Sequence, residues 1–570
     1  MVGYAGKKTK MNSETKNCQN CKKDFVIEPE DFNFYEKIKV PAPTFCPDCR
    51  FQRRTAFYNV FKLYKRKCDL CLQEIVSIHS ATTPYKVYCP KCWWSDKWDP
   101  YSYGREYDFS RSFFDQFNEL CHQVPTASLE ADYPTLENSQ YTNQVGHLKN
   151  CYLVFFADFS EDCMHGFYLL KNKSLLDTSN AMLSELCFDS MNVFKCSRCV
   201  GTRGNITESL NCFFLRDCDN CQDCFASANL KNKKYHIFNK PYSKEEYFRE
   251  IKKWDLGSYK TYKEVEKQAH EHWKKFPPRP TYDDFSVNCT GSYVFQSKNC
   301  QQCFEVTGAE NSKYIFFSYL PPIKDTYDFT AWGNNVSLCY EVCSCGEGAS
   351  ELKFCRGCGL GGFDIEYSTF CWPHVSHLFG CASVKNGSYC ILNKQYAKEE
   401  YEQLKAKIIE QMKENKEYGE FFPMSLSSFP YNDTMAQNFF PLTKEQAETK
   451  GLIWQDSEIN TYQITRKFND LPDHIKNAST EILNEVIECQ QCKKGFKIIK
   501  PELDFLESMN LPLPRECPFC RIQNKFNRWV KQLTLCKRVC SQCGIEFETH
   551  YPKTEVENIL CKSCWLKEVV

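Results

Sequence analysis

The sequence predicts a mainly β chain in which small α+β cysteine modules, paired at each end, flank two β-solenoid-like repeat arrays, each capped by a helix. Three observations carry this expectation. Eight CxxC pairs cluster at the two ends, four at each. Between them, cysteines and small apolar residues recur every 12 or 13 positions. One thirteen-residue motif, followed by a helical pattern, then ends both runs.

Composition sets the outer bounds. At 570 residues the chain is too long for a single core. Hydrophobic content of 42% and aromatic content of 15% exclude wholesale disorder. Lys plus Arg equals Asp plus Glu at 72 each, which excludes a chain-wide polyanion binder and leaves local basic patches open. Mean hydropathy is −0.54, and no apolar run approaches the roughly 18 residues of a membrane helix, so no membrane partner is expected. The opening MVGYAGKKTKMNSETKNC lacks the apolar stretch of a secretory signal. A cytoplasmic setting is therefore expected, and with it thiolate–metal chemistry for the 38 cysteines in place of a disulfide framework.

The ends come first. The N-terminal pairs are Cys18/Cys21, Cys46/Cys49, Cys68/Cys71 and Cys89/Cys92; the C-terminal pairs are Cys489/Cys492, Cys517/Cys520, Cys540/Cys543 and Cys561/Cys564. In both sets 24 residues separate the two pairs of the first module and 17 those of the second. Residues 18–50 align without a gap to 489–521, with 15 identities in 33 positions. One two-module unit has been used twice. Two CxxC turns supply a closed four-thiolate tetrahedron, so these sixteen cysteines are expected to hold about four structural Zn2+ ions. Modules of about 35 residues need such a staple to fold. After the second pair, Arg50, Arg53, Arg54, Phe57, Tyr58 and Phe61 fall at helical spacing, which predicts a helix aiming its positive N-terminus at the thiolates. Knuckle, hairpin, then a knuckle that opens a helix is a treble-clef order. Cys536 has no N-terminal counterpart (Tyr64 stands there) and is read as a spare thiol.

With those motifs, C-x2-C-K-K-x-F and C-P-x-C-R, the modules resemble treble-clef-type zinc ribbons of uncharacterised bacterial proteins. The whole arrangement is similar to the multi-zinc-ribbon, cysteine-repeat proteins of candidate-phyla-radiation bacteria. That resemblance implies zinc and carries no activity.

The middle follows another rule. Cys151, Cys163, Leu175, Cys187, Cys199, Cys212 and Cys224 are 12 or 13 apart; Cys303, Tyr314, Tyr327, Cys339, Cys358, Cys371, Cys381 and Cys390 keep a looser version. Asn precedes Cys at Asn150, Asn211, Asn220, Asn288 and Asn299, and Asn tolerates the left-handed turn conformation. Short strands joined by Asn turns predict a solenoid, with two 12-residue half-turns making a coil of about 24. The motif Tyr235–Tyr247 matches Tyr389–Tyr401 at nine of thirteen positions. Cap helices are expected after it, marked by Tyr247, Ile251 and Trp254, and by Tyr401, Leu404, Ile408 and Met412. The 21 cysteines from Cys121 to Cys390 read first as small core residues. Extra metal sites are the alternative, through Cys196/Cys199, Cys300/Cys303, Cys355/Cys358, the Cys218–Cys221–Cys224 run, or Cys371, His374, His377 and Cys381.

The expected order is tail 1–17, modules 18–62 and 63–98, connector 99–125, array 126–242, cap and linker 243–282, array 283–396, cap 397–418, linker 419–488, and modules 489–532 and 533–570. The proline-rich stretch 419–442 reads as an extended tether, Thr443–Gly451 as a capped helix, and 471–488 as further helix.

Three function classes remain. A scaffold that docks a protein partner suits closed metal sites and a repeat surface. RNA or single-stranded nucleic acid would suit Arg50, Arg53, Arg54, Lys65, Arg66 and Lys67 interleaved with aromatics, in a region with 18 Lys/Arg against 11 Asp/Glu over residues 1–100. An enzyme or thiol-redox protein is the third class. Asp158, Glu161 and Asp162 are close in sequence, but no P-loop, HExxH or GxSxG is present, and no catalytic residue is assigned.

Overall fold

The computed structural model describes residues 12–569 apart from 319, 334–335, 338–339, 347, 349, 351, 358–360 and 457–461. Cys339, Cys358, Gly359 and Leu360 therefore lie outside the described residues, as does the Cys345 side chain. The chain forms two compact units, Met1–Ser128 with Asp283–Gln455, and Leu129–Tyr282 with Asp456–Val570. Each combines one pair of terminal cysteine modules with one repeat array. Five helices matter below: α1 (Pro47–Thr55), α2 (Lys244–Ile251), α3 (Tyr259–Trp273), α4 (Lys398–Glu414) and α5 (Pro518–Gln532). Among the described residues no helix is long and apolar enough to cross a membrane.

Both arrays are β-solenoids, and the coil is half the length the spacing implied. Each strand pairs in parallel with the strand one repeat later: Thr142 with Val154, Tyr152 with Met164 and Val193 with Ile206 in one array; Val294 with Val306, Thr330 with Cys343 and Leu378 with Cys390 in the other. A full turn thus takes 12 to 14 residues, not 24. The reason is a corner at every third residue. Asn150, Leu153, Phe156, Phe159, Asp162, His165, Tyr168 and Lys171 all have φ between 48° and 56°. Four such left-handed corners close a four-sided coil in twelve residues. All five Asn of the Asn-Cys dipeptides occupy corners. An L-residue pays on the order of 1 kcal/mol there, and Asn pays least.

Between corners one residue points inward. Cys151, Cys163, Leu175, Cys187, Cys199, Cys212 and Cys224 form one inward column, each at most 2% exposed. In the second array the corresponding column is Cys303, Ile315, Phe329, Val342, Cys355, Ser368 and Cys381. Tyr314 is a left-handed corner there, one residue ahead of the inward Ile315, which lies twelve after Cys303; from Ile315 as far as Cys381 the coils lengthen to 13 or 14 residues.

Cys, Ser and Thr share one task at these inward positions. Cys187 Sγ donates to Glu185 O at 3.3 Å and Cys212 Sγ to Leu210 O at 3.3 Å; Ser190 Oγ donates to Phe188 O at 2.9 Å and Ser209 Oγ to Thr207 O at 2.8 Å. The same atoms accept an N–H from the next coil: Thr202 N on Ser190 Oγ, Cys221 N on Ser209 Oγ and Leu230 N on Cys218 Sγ. The small side chain takes an inward N–H that no backbone carbonyl reaches, while the carbonyl it donates to also accepts a backbone N–H, as Phe188 O does from Gly201.

Outside, corner Asn side chains form ladders: Asn150 to Asp162, Asn180 to Asn192, Asn288 to Asn299 and Asn299 to Asn311.

The two arrays end alike. Asn239 Oδ1 accepts Ala228 N while its Nδ2 donates to Ala228 O; Asn393 does the same with Ala382. The amide thus stands in for the missing next strand. Helices α2 and α4 follow, with Tyr247 against Tyr235 and Tyr401 against Tyr389. On α4, Tyr401, Ile408 and Met412 are buried as expected, while Lys405 is buried in place of Leu404, bound to Glu366 and Asp364. Residues 419–442 are no tether. Phe421, Phe422, Phe429, Tyr431 and Met435 are all at most 2% exposed, because that stretch packs against its own unit. Helix Lys444–Thr449 has its capping box, and 471–488 holds no α-helix, only short 3-10 turns and the strand Ile487–Glu488.

Candidate metal centres

Each cysteine module is built on the same knuckle. The N–H two residues beyond the short CxxC loop's middle turns back: Lys22, Leu72, Lys493 and Gly544, all at positive φ, donate to the carbonyls of Cys18, Cys68, Cys489 and Cys540 at 2.9–3.0 Å. Backbone N–H groups also point at sulfur. Cys46 N donates to Cys18 Sγ, Cys89 N to Cys68 Sγ, Cys517 N to Cys489 Sγ and Cys561 N to Cys540 Sγ, at 3.2–3.3 Å. The first knuckle is the turn of a short antiparallel hairpin, where the order expected from the sequence puts the hairpin between the knuckles, and a helix begins at the third cysteine. Cys46 and Cys517 are the N-caps of α1 and α5, and Cys89 that of Pro90–Trp93.

The sixteen predicted ligands converge as four tetrads: Cys18, Cys21, Cys46 and Cys49; Cys68, Cys71, Cys89 and Cys92; Cys489, Cys492, Cys517 and Cys520; Cys540, Cys543, Cys561 and Cys564. Within each, the sulfurs lie within 4.8 Å of one another. The short edges are 3.7 Å (Cys21–Cys46), 3.9 Å (Cys71–Cys89), 3.8 Å (Cys489–Cys520) and 3.7 Å (Cys543–Cys561). A tetrahedron with metal–sulfur arms of about 2.3 Å has edges of about 3.8 Å. The donor sets can therefore hold a tetrahedral metal ion without rearrangement. They leave no fifth ligand position.

In each tetrad one thiol is drawn toward thiolate, while its neighbours are pushed up: Cys92 and Cys564 by burial and by hydrogen bonds to the other thiols, Cys46 and Cys520 by such hydrogen bonds first and then by burial. Burial alone would raise the Cys18 thiol, but N–H groups of Cys46, Cys21 and Asn20 outweigh it and bring it down to about 7. The same balance brings Cys68 to about 7 and Cys540 to about 6. Cys517 falls to about 5, chiefly because the Cys520 thiol donates to it. These are electrostatics suited to a soft cation.

No protein-family model, no curated protein and no solved structure matches this chain.

Among the described residues no other group of three or more His, Cys, Asp or Glu side chains brings ligand atoms that close. The array cysteines do not form tetrads because the coil fixes them along columns, where each thiol faces a carbonyl. Cys218, Cys221 and Cys224 donate to Arg216 O, Asp219 O and Gln222 O. Cys371 donates to Thr369 O, Cys381 to Phe379 O, and His377 Nδ1 sits 2.9 Å from Asp364. The three carboxylates Asp158, Glu161 and Asp162 do not converge either. They engage His147, Lys173 and Asn150 separately.

The basic residues read as a nucleic-acid surface are placed differently. Arg50, Arg53 and Arg54 are 1%, 6% and 0% exposed. Arg50 and Arg54 grip the two oxygens of Asp328 at 3.0 Å, Arg54 Nε donates to Thr330 Oγ1, and Arg53 binds Glu420 and the carbonyl of Phe421. The interleaved aromatics are inside as well: Phe51 stacks on Phe316 at 3.8 Å, and Phe57 and Tyr58 are buried. Arg66 is tied to both oxygens of Asp69 and to Ser80 O. Lys65 and Lys67 remain exposed on the strand Tyr64–Lys67. The correction has a plain cause: the helix face that looked basic and aromatic is the face that docks on the array. Its partners Asp328 and Glu420 lie hundreds of residues away, beyond any local signal.

Proposed function

We propose that the protein is a zinc-binding scaffold, with four structural Zn2+ ions in treble-clef-type modules that brace two solenoids whose outer faces serve partner binding. The observation that carries it is the four-sulfur cluster found in all four modules, its sulfurs within 4.8 Å of one another and its short edges at 3.7–3.9 Å. Closed four-thiolate coordination suits a structural role, since zinc there has no position left for water or substrate. Thiolate sites of this kind need reducing surroundings, which a cytoplasm supplies. A nucleic-acid role would rest on Lys65 and Lys67 alone among the six basic residues considered, so a protein partner is the better-supported reading.

Elemental analysis of protein purified without chelator tests this. About four zincs per chain are expected, falling by one in Cys92→Ser. Fewer than three in the wild type, or iron in their place, would refute it.

A further inference from the structure

The two units dock their first modules on matching parts of their arrays. Counting back coil by coil along the corner columns that end in Leu392 and Phe238, the fifth corner is Asp328 in one array and Asp177 in the other. The fourth is Glu341 in one and Asp189 in the other. The gapless module alignment makes Arg50 equivalent to Arg521 and Arg54 to Lys525. Arg50 and Arg54 bind Asp328, Arg521 binds Asp177, and Lys525 binds Asp189 at 2.7 Å. The first helix position, Arg50 or Arg521, therefore meets the same coil in both units; the second differs by one coil, since Arg54 stays on Asp328 while Lys525 reaches Asp189. In both units these charges are withdrawn from solvent: Arg54 and Asp328 are 0% exposed, Asp177 3% and Lys525 7%.

The charges stand one and two turns beyond the metal-binding cysteines. Cys46 and Cys517 cap the docking helices, and Cys49 and Cys520 sit in their first turn. Helix α1 has only nine residues, too few to be stable alone in water, so its start and register come from the knuckle it grows out of. The second modules differ. Their contacts are of another kind: Lys385 Nζ donates to Trp93 O at 2.7 Å, Trp94 packs on Trp372, and Trp565 Nε1 donates to Pro277 O.

We propose that the first site of each pair, Cys18/Cys21/Cys46/Cys49 and Cys489/Cys492/Cys517/Cys520, is a metal-gated latch: metal bound there holds the helix that clamps the array, and its loss uncovers the array's acidic corner face. The second sites staple their own modules and stand outside this clamp on Asp328 and Asp177. This rests on the zinc reading above.

The test is hydrogen exchange by mass spectrometry on full-length, zinc-loaded protein, with the metal count taken on the same samples. Cys49→Ser should lose one zinc and raise exchange in residues 47–55 and along 314–332 at least tenfold, leaving 518–532 unchanged. Cys92→Ser should also lose one zinc and leave 314–332 protected. Asp328→Asn should keep four zincs and still open 314–332, which separates undocking from failure of the module to fold. Three zincs with 314–332 still protected in Cys49→Ser would overturn the latch alone, as would an Asp328→Asn protein with four zincs and unchanged exchange. A wild-type protein with fewer than three zincs would overturn the zinc reading and the latch together.

Discussion

At single inward positions of the arrays, the choice of Cys, Ser or Thr follows from one geometric demand. The side chain must be small, and its terminal atom must give a hydrogen to the carbonyl two residues back. Ser190 does this for Phe188 O and also receives Thr202 N–H. Ser190→Ala leaves the Thr202 N–H without its acceptor, although Phe188 O keeps the Gly201 N–H, and should cost about 1–3 kcal/mol, while Ser190→Cys should cost under about 1. Denaturant midpoints of the two variants check the difference. Glu341 sets a second, pH-dependent demand. It is a fully buried corner residue whose carboxylate oxygens find no hydrogen bond, and burial pushes it up to about 7. The sign follows from linkage: the folded state prefers the protonated acid, so stability is complete below the unfolded value of about 4.3 and is lost as pH rises to about 7. Glu341→Gln should therefore gain stability relative to wild type between pH 4 and pH 8, by roughly 2–4 kcal/mol. Equal midpoints at both pH values would contradict this.

At the scale of elements, the arrays show what a periodic sequence reveals and what it withholds. The spacing of Cys151, Cys163, Leu175 and Cys187 is the distance between stacked, inward-facing neighbours, so the column was readable. How many residues close a turn was not. That depends on the left-handed corners, which fall on Leu153, Phe156 and Lys171 as readily as on Asn150, and only Asn carries a recognisable preference for them. The duplicated end motif was readable as a terminus, but the work of its Asn was hidden, since a side chain imitating a strand looks like any turn residue. Asn393→Ala should leave the Ala382 N–H and C=O unpaired and cost about 1–3 kcal/mol. Its signature would be faster exchange in residues 381–395 with the metal count unchanged; unaltered exchange there would show that the amide does not hold the last coil.

For the whole molecule, the metal ligands were legible because both CxxC pairs of each site lie within about 30 residues, where spacing alone fixes a tetrahedron. The docking surface was not, because Arg54 finds Asp328 across 274 positions and Arg521 finds Asp177 across 344. A basic helix looks the same in sequence whether it faces phosphate, water or a buried carboxylate. The clustering of Arg50, Arg53 and Arg54 did mark an anionic partner; the partner is the chain itself.

Each array takes its modules from the far end of the chain, and this matters on the ribosome. At 5–20 residues per second, Asp177 is made roughly 17–70 s before Arg521 exists to cover it. Through that interval the nascent N-terminal helix is already present, bearing Arg50 and Arg54 at the very positions that Arg521 and Lys525 will later occupy. The first acidic corners it can meet during synthesis are therefore those of the wrong array. Correct assembly requires that this early encounter be reversible, so that the N-terminal module is free again when Asp328 emerges.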